Sequence, residues 1–389
     1  MAQYDVAVVG LGALGSAAAY YAAKKGAKVI GFEQFELGHV RGASHDTSRI
    51  VRTSYDQSQY VALAKSAYKD WAHLEDASKQ KLLTITGGVV VIPKDDMPNT
   101  PTATEWANCM KANDLPYELL TAGESNKRWP QFNLKDDYQV VYTPDTGIAH
   151  AAKSVMTMQF LARFNGAELK EHTKVERVTP RGSAGPGVTI ETSKGTYTAK
   201  KIILAADAWI NELLSPLGLH IPLEVMQEQV TYFKPSDPTK YSPERFPVWI
   251  LGTPEQWYYG FPTFGEPTIK CAHDTAKNHM TPAERTFEPS PKLLEQLTSA
   301  MQDFIPDSGR KVMRTVTCQY AITPDRQFII TPLDRYQDII VTQGAAHAFK
   351  FAPAIGRVAA ELAIDGQTTD DISKFGFPAS VDTPLKAKI

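Results

Sequence analysis

Gly10-Leu11-Gly12-Ala13-Leu14-Gly15 interrupts a short apolar run, Tyr4, Val6, Val8 and Val9, and opens a small-residue stretch over 16–25 that predicts a helix. A second apolar run over 28–32 closes on Glu33. Strand, glycine turn, helix, strand and acid in that order make a βαβ unit able to receive a dinucleotide. Gly10 makes the tight turn, Gly12 lets backbone approach a pyrophosphate, and Gly15 lets helix and strand pack closely. The helix N-terminus adds partial positive charge and free N–H donors. A carboxylate at Glu33 suits both hydroxyls of an adenosine ribose and repels a 2′-phosphate, which disfavours NADP. The motif leaves NAD and FAD open.

Other residue types that could do chemistry are scattered. The small, polar stretch over 38–48 holds His39, Arg41 and His45, and Arg49 and Arg52 follow it. By type alone, Lys270 reads as a surface ammonium on a buried stem, and Arg52 and Lys350 as separate cations. Tyr259 and Tyr320 suit a core in which each hydroxyl finds a partner. The three cysteines, Cys109, Cys271 and Cys318, lie far apart, with no CxxC and no His/Cys cluster at ligand spacing. Neither a disulfide framework nor a metal site is implied, and a lone cysteine such as Cys318 reads as an inert buried thiol.

The elements that must position these groups can be read from periodicity. Apolar residues at three- and four-residue steps predict an amphipathic helix over 60–74, and shorter helices are expected at 106–112, 123–129, 152–165, 292–305 and 354–364. The runs 82–86 and 89–92 flank Gly87-Gly88 and read as a hairpin-like pair. A meander is expected over 175–178, 188–192 and 196–198, then a separate buried strand at 201–206 and sheet strands at 223–233, 249–251, 257–261, 268–272, 312–319, 328–331 and 339–342. This is an α/β pattern. It predicts a discontinuous Rossmann-like nucleotide domain interleaved with a mixed, largely antiparallel sheet domain for the substrate. A chain of 389 residues exceeds the usual single core, which supports two domains. The formal net charge of -2 gives no reason to propose nucleic acid or an acidic membrane surface as partner. No apolar run reaches the length of a membrane span and no secretory leader is recognisable, so the expectation is a protein made and kept inside the cell.

Seven stretches taken together resemble the monomeric sarcosine oxidase family of flavoenzymes, which includes N-methyltryptophan oxidase, pipecolate oxidase and the amadoriases. They are the turn from Gly10 to Gly15, Ser44-His45-Asp46-Thr47-Ser48-Arg49-Ile50-Val51-Arg52, Tyr258-Tyr259-Gly260-Phe261-Pro262, Lys270, Cys318-Gln319-Tyr320, Thr323-Pro324-Asp325 and Phe349-Lys350-Phe351. Their order and spacing agree across nearly the whole chain. The resemblance implies FAD, bonded through the Cys318 sulfur to the flavin 8α-methyl carbon. It implies that Lys270 meets flavin N5 through water and promotes reaction with oxygen. Arg52 and Lys350 would hold a substrate carboxylate, and Tyr259 and Tyr320 would wall the site. Arg49 and His45 would line the flavin ring, where positive charge favours its anionic reduced form. Ser44, Val175, Gly344 and Lys350 would join Gly10, Gly12, Gly15 and Glu33 around the cofactor. The implied division is 1–85, 150–222 and 321–389 for FAD, with 86–149 and 223–320 for the substrate.

The implied reaction is oxidation of a secondary amine of an amino acid by molecular oxygen, with imine hydrolysis and hydrogen peroxide; sarcosine would give glycine and formaldehyde. The implied protein is a monomer whose partners are a small amino acid and oxygen. The final residues, Ala387-Lys388-Ile389, are similar to the Ser-Lys-Leu peroxisomal address, so a peroxisomal import receptor is a further expected partner, with the cytoplasm as the alternative location. Three departures bear on this. Asp274, with His273 beside it, stands four residues after Lys270, where sarcosine oxidases carry histidine and amadoriases glutamate. That favours a fructosyl amino acid, or a substrate of the pipecolate or saccharopine kind, as the alternative. Ala346 and Ala348 replace expected glycines, which should restrict backbone approach to the flavin. Asp207 replaces a glycine and, if buried, needs a partner.

Overall fold

The computed structural model describes residues 3–95, 100–182, 185–308 and 311–378. Its first eight-stranded sheet is organised around Tyr4–Val9, which pairs in parallel with Val29–Phe32 on one side and Gly195–Leu204 on the other. Glu168–Lys170 extends the sheet beyond Val29–Phe32. Gly195–Leu204 has two neighbours on its far edge. Its start is antiparallel to Val188–Thr192, and its end is parallel to Tyr336–Gln343. The expected break between 198 and 201 is therefore absent. Lys200 and Lys201 reach outward to Asp5 and Asp338 while the backbone stays paired.

Apolar runs form the middle of this sheet because both faces are covered. Val8, Ile203 and Ile340 lie in register and face a layer of helices, whereas Val9, Leu204 and Val341 face a second core under the short helix Ile210–Leu214. The helix Ala13–Lys24 lies on the sheet beside Ala352–Ile364, and alanines permit that approach. A Cβ on Gly356 would stand 2.3 Å from the Cβ of Ala17.

The second eight-stranded sheet runs Val312–Ile322, Glu224–Phe233, Ile269–Asp274, Trp257–Phe261, Val248–Gly252, Gly88–Pro93, Tyr138–Thr143, Glu118–Thr121. All its pairings are antiparallel except Val248–Gly252 with Gly88–Pro93. Alternation separates its faces. Val89, Val91, Trp249, Ile269 and Cys271 pack on the helix Pro291–Phe304, and Val90, Ile250, Lys270 and Ala272 point the other way.

The expected hairpin around Gly87-Gly88 does not form. Leu83–Ile85 pairs with Gly147–His150 in a small three-stranded sheet that also holds Ser48–Val51, whereas Gly88–Pro93 belongs to the large sheet. The backbone N–H of Thr86 donates to the Thr146 carbonyl and that of Val248 to Gly87, so the chain passes onward between sheets instead of folding back. Gly147 accepts this crowding because it has no Cβ; one would stand 2.3 Å from the Thr84 carbonyl oxygen.

Candidate functional site

A long cleft joins the glycine turn to the inner face of the second sheet. At one end Gly10 takes φ +87°, and a Cβ there would lie 2.5 Å from the Ala205 carbonyl oxygen. Gly12 lines the cleft with it; Gly15 sits behind, where a Cβ would be 1.8 Å from the Gly10 oxygen. Glu33 ends the strand Val29–Phe32 and takes hydrogen bonds from the backbone N–H of Leu11 at 3.0 Å and of Phe35 at 3.2 Å. Burial opposes its ionisation, but His39 and these two donors hold its carboxyl below the usual range. Ser44 Oγ accepts from Ala13 N at 2.9 Å, capping the first turn of the helix, and Val175 lines the same end. A cradle that side chains would fill, with a charged carboxylate a strand away, fits the adenosine and pyrophosphate of FAD.

Midway, Lys270 is buried on Ile269–Asp274. Its Nζ stands 2.6 Å from Asp46 Oδ2 and donates to the Ser48 carbonyl at 2.9 Å. Asp46 also accepts from Tyr232 Oη at 2.6 Å and lies 3.9 Å from Arg49 Nη1. Burial brings the Lys270 ammonium down to about 8, with Asp46 opposing. Lys270 and Arg49 outweigh burial at Asp46 and keep it ionised. Asp46, which its residue type and spacing alone do not mark, is thus the counter-ion of the site.

Arg49 donates through Nη2 to the Ala43 carbonyl at 2.8 Å and to Cys318 Sγ at 3.5 Å. Against burial, Cys318 and Asp46 raise its pKa. Cys318 is buried in Val312–Ile322, next to Gln319 and Tyr320, which line the cleft. His45 lines the cleft but cannot share Arg49's expected role as a positive charge. Burial, then Arg49, pushes its imidazole down to about 3 and leaves it neutral.

At the far end lie Arg52 and Lys350. Arg52 is buried, stacked 4.5 Å from the Tyr55 ring, and its Nε and Nη1 have no hydrogen-bond partner among the described residues. Lys350 donates to the His347 carbonyl at 3.1 Å, and burial, then Arg52, brings its ammonium down to about 7. Unsatisfied cationic donors in a buried cleft are costly unless an anion meets them. Tyr259 and Tyr320 both line this region. Strand alternation decides between the two residues after Ala272. Asp274 shares the cleft face with Lys270, while His273 turns to the opposite face, 5.1 Å from Tyr258.

Asp274 Oδ1 is 3.1 Å from Nε2 of His347, a cleft residue that sequence reasoning missed. Burial would raise the Asp274 carboxyl, but His347 brings it down to about 2. Only its place three residues before Lys350 could have drawn attention to His347.

The remaining departures are accommodated. Ala346 adopts φ +71°, a cost of roughly 1–2 kcal/mol for an L-residue, and its N–H donates to the Ala321 carbonyl at 3.2 Å. Ala348 fills the space beside Gly344, where a Cβ would come within 2.3 Å of it, and Gly344 lines the cleft. Asp207 finds its partner in Gln343 Nε2 at 3.3 Å, and burial lifts its carboxyl to about 6. Among the described residues no helix is long and apolar enough to cross a membrane.

Residues 5–362 match the family described as FAD dependent oxidoreductase. The chain is 34% identical to monomeric sarcosine oxidase of Bacillus sp. (strain B-0618), over 99% of each chain, and 30% identical to peroxisomal sarcosine oxidase of Homo sapiens, over 96% and 95%. Among solved structures it is similar to NikD, described as an unusual amino acid oxidase essential for nikkomycin biosynthesis, with a TM-score of 0.86, 27% identity and 99% of each chain covered. The likeness extends over both sheets and the cleft between them: the chain belongs to the FAD dependent oxidoreductase family, among the monomeric sarcosine oxidases.

Proposed function

We propose that the protein oxidises the secondary amine of a small amino acid, sarcosine or a similar N-methyl amino acid, with molecular oxygen as acceptor. The observation that carries the reading is Arg52, a buried guanidinium with two unpartnered donors beside Lys350, in the same cleft as the glycine turn and Glu33. An amino acid carboxylate satisfies both cations, the planar fork of Arg52 taking two oxygens and Lys350 adding a point charge. Bound FAD supplies the acceptor for a hydride equivalent from the substrate and passes those electrons on to oxygen as hydrogen peroxide.

The chain's own residues do the rest. Gly10, Gly12, Ser44, Glu33, Val175 and Gly344 hold the cofactor, with Gly15 shaping the turn behind them. Tyr259 and Tyr320 wall off water around the reacting amine. Arg49 and Lys270, balanced by Asp46, would set fixed positive charge beside the flavin ring and the approaching oxygen. Cys318, whose Sγ lies 3.5 Å from Arg49 Nη2, would be the point of covalent attachment at the flavin 8α carbon. Residues 1–85, 150–222 and 321–389 serve the cofactor, and 86–149 and 223–320 the substrate.

Asp274 favours one alternative: a carboxylate facing the substrate suits a fructosyl amino acid or a substrate of the pipecolate or saccharopine kind. Peroxide release from a panel of sarcosine, other N-methyl amino acids, pipecolate and fructosyl amino acids separates the readings, with sarcosine or an N-methyl amino acid expected to lead. After trichloroacetic acid precipitation the flavin is expected to stay with the protein. Complete release with Cys318 still alkylatable removes the tether. We also assign the protein, as a monomer, to the peroxisome; the relative named peroxisomal supports this, and Ala387-Lys388-Ile389 lie outside the described residues. A fluorescent fusion carrying these three residues at its end tests it, and a cytoplasmic signal favours the alternative.

A further inference from the structure

We propose that His347, oriented by Asp274, is the general base that takes the ammonium proton of the bound substrate. The proposal rests on the amine oxidase reading given above. A secondary amine arrives at neutral pH mostly as an ammonium, whose nitrogen has no free electron pair, and a hydride equivalent leaves the adjacent carbon only once that pair is released. Asp274 by itself makes this harder, because a firmly ionised carboxylate stabilises the ammonium instead of taking its proton.

The pairing with His347 changes the chemistry. His347 Nε2 lies 3.1 Å from Asp274 Oδ1, so the N–H sits on that nitrogen and Nδ1 keeps its lone pair. The side chain, 26% exposed, lines the cleft. A base held in one tautomer by a buried carboxylate is the arrangement that general-base catalysis needs. The His347 carbonyl also accepts from Lys350 Nζ at 3.1 Å, so the carboxylate clamp and the base belong to one turn. That proximity suits an α-amino acid, whose nitrogen is two bonds from its carboxyl carbon.

In the step, an N–H bond of the ammonium breaks and its electron pair stays on the amine nitrogen. The proton bonds to Nδ1, and the imidazolium charge is balanced by Asp274 until the proton passes to cleft water.

The surroundings agree with a neutral imidazole before substrate binds. Burial lowers the His347 pKa in spite of Asp274. Lys350 and Arg326 also oppose its protonation, with Arg52 beyond Lys350. From the second sheet, the Tyr320 ring meets it edge-on at 5.5 Å, and Glu228, which burial lifts to about 8, adds little charge against Asp274.

The test is anaerobic stopped-flow reduction of the flavin in the holoenzyme by the best substrate of the panel, across pH. His347→Asn is expected to lower the limiting reduction rate about a hundredfold at neutral pH and to shift the profile towards the free amine's own ionisation. Acetate binding, followed by the change it causes in flavin absorbance, should stay within about threefold, as the clamp is untouched. Asp274→Asn keeps the base without its counter-charge, so the rate should fall less, about tenfold, with its inflection moved to lower pH. If His347→Asn yields no folded holoenzyme, Asp274→Asn decides alone. A wild-type rate and pH profile in His347→Asn, or in Asp274→Asn where that variant decides, overturns the base assignment and leaves the amine oxidase reading standing. A wild-type flavin reduced by no member of the panel overturns both.

Discussion

The two ends of the cleft are built in opposite ways. The nucleotide end is local: Gly10, Gly12 and Gly15 lie within six residues, and Glu33 follows one helix and one strand later. Its parts touch through backbone, as in the N–H of Leu11 on Glu33. The chemical end is gathered from afar. Asp46 with Arg52, Lys270, Cys318, and His347 with Lys350 come from four separate segments, and 222 residues separate Lys270 from its hydrogen-bond partner Ser48. A local site stands or falls with one turn. A gathered site can lose one function and keep its shape.

The largest effect is expected at the local end. Gly15→Val places a branched side chain where even a Cβ would be 1.8 Å from the Gly10 oxygen. Helix and strand must part, and little or no flavin-bearing protein should be recovered, as read from the ratio of flavin to protein absorbance. Normal flavin content would break the contrast, because it would mean that the turn tolerates what its geometry forbids.

At the gathered end, Lys270→Met removes one charge and keeps the fold. Reoxidation of reduced enzyme by oxygen should slow about a hundredfold, while anaerobic reduction by substrate changes far less. Similar losses in both half-reactions would remove Lys270 from the oxygen step.

A smaller effect sharpens the comparison further. Lys350 is brought down to about 7, so it carries its charge below that pH and loses it above. Acetate affinity should therefore be highest on the acid side and weaken by about fivefold to tenfold as pH rises through that value, levelling where Arg52 holds the anion alone. Bound anion raises the Lys350 pKa, so the inflection should move upward in the complex. A flat titration would mean that Lys350 does not face the carboxylate.

The local end was the more legible in the sequence. Strand, glycine turn, helix and acid are neighbours, and the roles read for Gly10 and Gly15 meet matching geometry at each position. At the other end, the resemblance pointed to Arg52, Lys270 and Lys350, and the cleft brings all three together. It could not supply their counter-groups. Asp46 and His347 stand in polar or small-residue stretches with no periodicity to mark them, and they matter because one distant strand, Ile269–Asp274, presents Lys270 to the first and Asp274 to the second. The hairpin expected around Gly87-Gly88 failed for a related reason. Two short apolar runs beside a glycine turn fit either a fold-back or a crossing between sheets, and only the partners, Gly147–His150 and Tyr138–Thr143, decide.

By itself, then, the order of residues settled what depends on neighbours along the chain, the tight turn, the period-two strands and the alanine-rich helix, whereas which of His273 and Asp274 faces the cleft was settled only by the strand Ile269–Asp274 in its sheet. Packing alone decided which groups carry charge. His45 is neutral and Asp46 ionised although they are adjacent, because burial penalises every charge and only Asp46 has Lys270 and Arg49 to repay it.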